Sequence, residues 1–254
     1  MSALTMFSLS GKKAIVTGGS QGLGYEMCKA LAGAGAQVAF IYVDSPQADD
    51  IATEISKEFH VMCKAYEADV SVAEKVHSVM SKIYADFGDI DILIANAGIH
   101  EAGPSETFDL DLWKHIFDVN VHGAFYCAQF VGERMLKKER GSIIFISSVA
   151  GHVGVRPQEV ASYSASKGAV TSMTKALATE WATRGVRVNS INPGYMTTVP
   201  FGDNPQTRFW KLRTPMGRLG KPDELNGAAI YLASDASSYV TGAQFFVDGG
   251  YSCS

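Results

Sequence analysis

With 254 residues, 46% of them hydrophobic and 19% charged, the chain carries enough apolar side chain to bury a large core, which excludes a disordered chain. Its net charge of −4 offers no basic field for nucleic acid or an anionic membrane. No apolar run approaches bilayer-spanning length, and Met1 to Ser10 lacks a basic region followed by an apolar stretch, so a cytoplasmic protein is expected.

Lys12 to Thr17 is a short apolar run that ends in Gly18-Gly19-Ser20-Gln21-Gly22-Leu23-Gly24, after which Tyr25 to Ala34 reads as a helix. Strand, glycine turn and helix in this order suit nucleotide binding. The glycines let the backbone approach a pyrophosphate, and the helix start offers free N–H groups and a positive dipole end. A second strand follows at Gln37 to Tyr42.

The alternation then repeats. Pro46 to Phe59 reads as helix, Val61 to Ala65 as strand, Ser71 to Phe87 as a helix capped by Ser71, and Ile90 to Ala95 as a buried strand ending in Asn96-Ala97-Gly98. Asp109 to Lys138 is expected to be one long amphipathic helix, Ser142 to Ser147 a strand, Ala161 to Thr183 a helix and Val186 to Ile191 a strand. Pro193 to Pro215 is expected to be irregular, and Pro222 to Ala233 and Gln244 to Val247 supply a last helix and strand. This alternation predicts an α/β fold in one domain spanning 1–254, a doubly wound parallel sheet with helices on both faces.

Ligands of such sheets bind at the carboxyl ends of the strands. The polar and glycine-rich clusters fall there: Gly18 to Gly24, Asp69-Val70, Asn96 to Gly98, Ser147-Ser148 and Asn192 to Gly194. Tyr163 and Lys167 are four apart on a predicted helix, so they share a face. Alone, that pair is an ordinary feature of a helix surface. Cys28, Cys63, Cys127 and Cys253 are scattered, and the six His residues form neither HExxH nor a His/Cys cluster, so no metal is expected.

Taken together, these motifs resemble the short-chain dehydrogenase/reductase family over nearly the whole chain. Thr17-Gly18 with Gly22 and Gly24 looks like its cofactor turn, and Asn96-Ala97-Gly98 like its sheet-stabilising motif, here preceded by Ala95 where Asn is commoner. The resemblance implies a Rossmann-type fold, a nicotinamide cofactor, and catalysis by Asn120, Ser148, Tyr163 and Lys167. The gap from Ser148 to Tyr163 is two residues longer than usual, an insertion the loop Val153 to Val160 can absorb; Ser148 rather than Ser147 is taken to face the substrate.

In that reading Tyr163 gives the proton to a carbonyl, the positive charge of Lys167 favours its phenolate, Ser148 stabilises the developing alkoxide, and Asn120 holds a water linking Lys167 to solvent. The expected cofactor contacts are Gly18, Ser20, Gln21, Gly22, Leu23 and Gly24 in the turn, and Tyr42, Asp44 and Ser45 after the second strand. Asp69, Val70, Asn96, Ala97 and Gly98 follow, with Tyr163, Lys167, Pro193, Gly194 and Thr197 at the nicotinamide end. An inward Asp44 would repel a 2′-phosphate, whereas ketose reductases of the family mostly use NADP; NADP(H) and NAD(H) both stay open.

Gly151-His152-Val153, Pro157-Gln158 and the ending Val247 to Tyr251 are similar to ketose and polyol reductases of this family, such as mannitol dehydrogenases and sorbose reductases. His152, Gln158, Tyr195, Phe201 and Trp210, with Ser148 and Tyr163, are the expected substrate residues, and 194–215 the expected lid. His152 and Gln158 would serve a polar ketose, the aromatics a bulky apolar ketone. A 3-oxoacyl-thioester reductase and a non-catalytic dinucleotide-binding regulator are the rival readings. The family resemblance implies a homotetramer.

Overall fold

The computed structural model describes residues 3–198 and 202–253. Seven strands form one parallel sheet: β1 (Lys13–Thr17), β2 (Gln37–Tyr42), β3 (Cys63–Glu67), β4 (Ile92–Ala95), β5 (Gly141–Ile146), β6 (Val186–Pro193) and β7 (Gln244–Val247). Their order is β3-β2-β1-β4-β5-β6-β7, so the chain winds outward from β1 in one direction and from β4 in the other. The reversal between β1 and β4 opens a crevice above the sheet's carboxyl edge.

Alternation along each strand divides the core between the two faces. Ile15, Leu93, Ile143 and Val188 pack on α3 (Ala73–Phe87), α5 (Ala124–Lys137) and α6 (Ala161–Trp181). Ala14, Val16, Ile92, Ile94 and Ile144 pack on α1 (Gly22–Gly33), α2 (Ala48–Phe59) and α8 (Asn226–Ala233). Burial on both faces explains why these strands read as continuous apolar runs.

Three elements depart from the sequence reading. Ser71 does not cap α3: its hydroxyl and backbone N–H both bond Asp69 Oδ1, at 2.6 and 2.9 Å, and the helix begins two residues later. The expected helix from Asp109 to Lys138 is interrupted. Asp109 caps α4 (Leu110–Phe117) through its carboxylate, and a π-helical turn at Asp118–Gly123 precedes α5. Such a wide turn rotates the faces of the two helices and often marks a functional site.

The stretch expected to be irregular contains α7 (Pro205–Arg213). Asn204 and Thr207 form a reciprocal capping box, and Pro205 occupies the first helical position, where its missing N–H costs nothing.

Candidate active site

The nucleotide end of the crevice is shaped by glycine. Gly18 adopts φ +67°, and a Cβ there would lie 3.0 Å from Asn96 Nδ2. On Gly24, at the start of α1, a Cβ would overlap the Gly18 carbonyl oxygen and come within 2.6 Å of the same Asn96 nitrogen. Asn96 braces the turn by donating to the carbonyls of Thr17 and Gly18 at 2.9 and 3.2 Å, while Thr17 Oγ1 accepts from the N–H groups of Asn96 and Ala97. No side chain caps α1, so its first N–H groups face outward over Gln21 with the positive end of the helix dipole behind them.

Ser20, Gln21 and Leu23 line a crevice of about 640 Å³ that continues past Tyr42, Asp69 and Val70. Hydrogen bonds from Ser71 hold the Asp69 carboxyl below its ordinary range. This glycine floor, an uncapped helix start and an elongated crevice fit a dinucleotide.

At the other end, β5 runs into Ser147-Ser148. Ser147 points down into the protein, donating to the Lys167 carbonyl at 2.9 Å and lying 3.0 Å from Thr171 Oγ1. Ser148 lines the crevice together with Tyr163, and its oxygen accepts from Ala150 N–H at 3.1 Å. Burial raises the Tyr163 phenol above its ordinary pKa, and the Ser148 hydrogen bond pulls it back down.

Lys167 follows Tyr163 by one turn of α6. Its buried Nζ lies 5.6 Å from the centre of the Tyr163 ring and donates to the Ile146 carbonyl at 2.8 Å. Burial lowers the pKa of this ammonium to about 8.

Asn120 sits in the π-helical turn, 1% exposed and behind the crevice wall. Its Oδ1 accepts from Ile99 N–H at 2.8 Å, and its Nδ2 donates to Ile99 O and Ser166 Oγ at 2.9 and 3.0 Å, so the amide's donors are both in use. Gly98 passes between Asn120 and Lys167; a Cβ would be 3.2 Å from Asn120 Oδ1 and 3.4 Å from Lys167 Nζ. Pro193 and Gly194 close the crevice from β6, with Gly194 N–H bonded to Val247 O and its Cα packed on Asp248.

The far wall is aromatic and polar. Tyr195 stacks on Trp210 with centroids 4.3 Å apart and donates to Gln158 Oε1 at 3.1 Å; all three border the crevice. His100 was not anticipated. Its ring meets Tyr163 edge-on at 5.8 Å and lines the mouth, but a lone His in a loop gave no sequence signal. Thr198, also unanticipated, lines the crevice in place of Thr197, whose hydroxyl is bonded to Gly220 O.

Several expected contacts lie elsewhere. His152 is turned away from the crevice, its Nε2 held 3.2 Å from both Asn192 Oδ1 and Thr171 Oγ1. Asp44 stands exposed in a left-handed turn at φ +54°, and neither it nor Ser45 borders the crevice; Val43 does. Gly22, at φ +55°, turns the chain into α1 just outside the lining. Phe201 lies outside the described residues. Among the described residues no cluster of three or more His, Cys, Asp or Glu could hold a metal ion, and no helix is long and apolar enough to cross a membrane.

Known proteins share this arrangement. The family model described as enoyl-(acyl carrier protein) reductase matches residues 18–252. The sorbose reductase of Candida albicans is 45% identical over 98% of this chain and 90% of its own length. An NADP-dependent mannitol dehydrogenase of Hypocrea jecorina is 40% identical over 98% and 95%. A crystal structure of a gluconate 5-dehydrogenase from Burkholderia cenocepacia, in complex with NADP and tartrate, superposes with a TM-score of 0.94 at 36% identity, covering 99% of both chains. The glycine cradle and the Ser148–Tyr163–Lys167 group thus stand in a nicotinamide-dependent oxidoreductase, and the chain belongs to the short-chain dehydrogenase/reductase family.

Proposed function

We propose that the protein interconverts a ketose and its polyol, with Tyr163, Ser148 and Lys167 carrying the chemistry. The observation behind this reading is the Tyr163 phenol, sharing the crevice lining with Ser148 and standing one helical turn from the buried Lys167 ammonium, at the end of a crevice fit for a dinucleotide. When bound, the nicotinamide supplies or accepts the hydride. Tyr163 Oη gives the proton to the substrate oxygen in reduction and takes it back in oxidation. Ser148 Oγ–H donates to that oxygen as charge builds on it. Lys167 offers its ammonium to the cofactor ribose and can turn from Ile146 O to do so. Asn120 acts behind them, holding the Ile99 backbone and Ser166 so that Gly98 stays between it and Lys167.

A polyhydroxylated substrate is favoured by the Gln158–Tyr195 pair, which presents an amide and a hydroxyl to the crevice above the Trp210 face. The sorbose reductase and mannitol dehydrogenase relatives point the same way. The segment 194–215 is the lid of this pocket. NADP(H) is the preferred cofactor in this reading: no carboxylate stands inward after β2, because Asp44 is turned out, and a relative is NADP-dependent. Assembly as a homotetramer in the cytoplasm belongs to the same proposal. The half-exposed Phe246 and Met216 beside the last strand of the sheet, and four unpaired cysteines, are consistent with it. A monomeric mass in solution would contradict the assembly.

The test is a panel of fructose, sorbose, mannitol, a simple ketone and a 3-oxoacyl thioester, run with NADPH and with NADH. Ketose reduction should lead the panel, and a leading thioester would overturn the substrate. In Tyr163→Phe turnover should fall by about 10²–10⁴-fold while cofactor binding stays nearly unchanged; near-normal turnover would overturn the site.

A further inference from the structure

Beneath the crevice floor a polar chain runs inward from a partly buried histidine and links the three segments on which the proposed site stands. It starts at His152, in the turn after Ser148. Gly151 lets this turn lie directly on α6, since a Cβ there would come to 2.7 Å from the Lys167 carbonyl carbon and 2.8 Å from Gly168 N. The imidazole is thereby set against Asn192 of β6 and Phe246 of β7, two residues paired in register across those strands. Its ring meets Phe246 edge-to-face at 4.7 Å, and Nε2 lies 3.2 Å from Asn192 Oδ1 and 3.2 Å from Thr171 Oγ1.

The direction of every bond follows from the chemistry of the partners. Asn192 Nδ2 donates to Ser190 Oγ, so its Oδ1 faces the imidazole, and an amide oxygen can only accept. Nε2 therefore carries the proton and shares it between Asn192 Oδ1 and the Thr171 oxygen. Ser147 spends its hydroxyl hydrogen on the Lys167 carbonyl at 2.9 Å, so it must accept from Thr171 across 3.0 Å. Asn192, Ser147 and Thr171 are 0%, 2% and 8% exposed and His152 is partly buried, so the partners of the imidazole lie inside the protein, where a lost hydrogen bond is costly.

We propose that His152 is a positioning residue. Its Nε2–H keeps the Ser147-Ser148 turn, the Lys167 turn of α6 and the end of β6 before Pro193-Gly194 in one register. The inference rests on the reading of Tyr163, Ser148 and Lys167 as the reacting groups, and adds that their spacing is set from below by a residue that touches neither substrate nor cofactor. A displacement of about 1 Å at reacting atoms costs on the order of 10²-fold in rate.

The test compares full-length variants in ketose reduction. His152→Phe keeps an aromatic ring against Phe246 and removes the donor; kcat should fall about 10- to 100-fold, with the Kd for NADPH, titrated by its fluorescence, changed less than about 3-fold. His152→Gln restores an N–H toward Asn192 and should recover at least about a third of the lost kcat. Equal losses in both variants would assign the effect to ring packing and overturn the proposal. Thr171→Val, nearly isosteric, removes the link to Ser147 and should lower kcat about 3- to 10-fold even if His152→Phe fails to fold; unchanged kcat in Thr171→Val, or in a folded His152→Phe, also overturns it. Tyr163→Phe runs alongside: if it is inactive while His152→Phe is normal, only the positioning role fails, whereas an active Tyr163→Phe removes the reading beneath it.

Discussion

The nucleotide end of the crevice is made of backbone, whereas the substrate end is made of side chains. At the first, Gly18 and Gly24 leave no room for a methyl group, and the turn is braced by Asn96 from a strand far away in sequence. At the second, Tyr195, Trp210 and Gln158 meet across a loop and a short helix. The difference is one of tolerance. A backbone cradle fails when any atom is added, while a side-chain wall can change its contents and keep its shape.

The sharpest way to break this contrast is Gly24→Ala. The added methyl overlaps the Gly18 carbonyl, so the turn must move, and NADPH binding should weaken by more than about 100-fold; overpacking of about 1–3 kcal/mol should also lower the melting temperature by several degrees. Retained binding in a fluorescence titration would mean that the cradle is softer than its packing implies.

Next in size is a pH effect. Burial holds the Lys167 pKa down at about 8, so the ammonium is present below that pH and lost above it. In ketose reduction kcat/KM should be flat at lower pH and fall about tenfold per unit above about 8. A profile with no such limb would show that Lys167 need not be charged in the free enzyme.

Tyr195→Phe keeps the stack on Trp210 and removes the bond to Gln158. The KM for a ketose should rise about 3- to 10-fold and that for a simple ketone stay within twofold, since only the former uses the polar pair. Equal changes for both would make the wall purely a matter of shape. The smallest effect is expected for Asp44→Ala: being exposed and outside the lining, its loss should shift the NADPH-to-NADH ratio of kcat/KM by less than about twofold.

The same contrast decides what could be read from the sequence. Parallel strands buried on both faces announce themselves as apolar runs, and Gln37–Tyr42 is found at its expected boundaries. Gly18, Gly24 and Asn96 are legible because their jobs depend on residue type. His152 is not, because proximity to Ser148 in sequence says nothing about side-chain direction; the short 3-10 turn Val149–Gly151 sends it toward β6 instead of the crevice. Asp44 misleads for the same reason, its left-handed backbone turning it outward. The break in the long helix at Asp118–Gly123 leaves no trace in hydrophobic spacing, since both halves remain amphipathic. Helix α7 was legible after all, in Asn204-Pro205 with Thr207, but the surrounding glycines and prolines hid it.

The brace between Asn96 and the glycine turn has a consequence for how the molecule is made. Its hydrogen bonds join residues 78–80 positions apart, across the seam where β4 docks on β1. The nucleotide turn therefore cannot take its final shape until both halves of the sheet have met, which makes ligand competence a late event in folding. A nucleotide that binds across the seam holds those halves together and should protect the protein against thermal unfolding in proportion to the logarithm of its concentration.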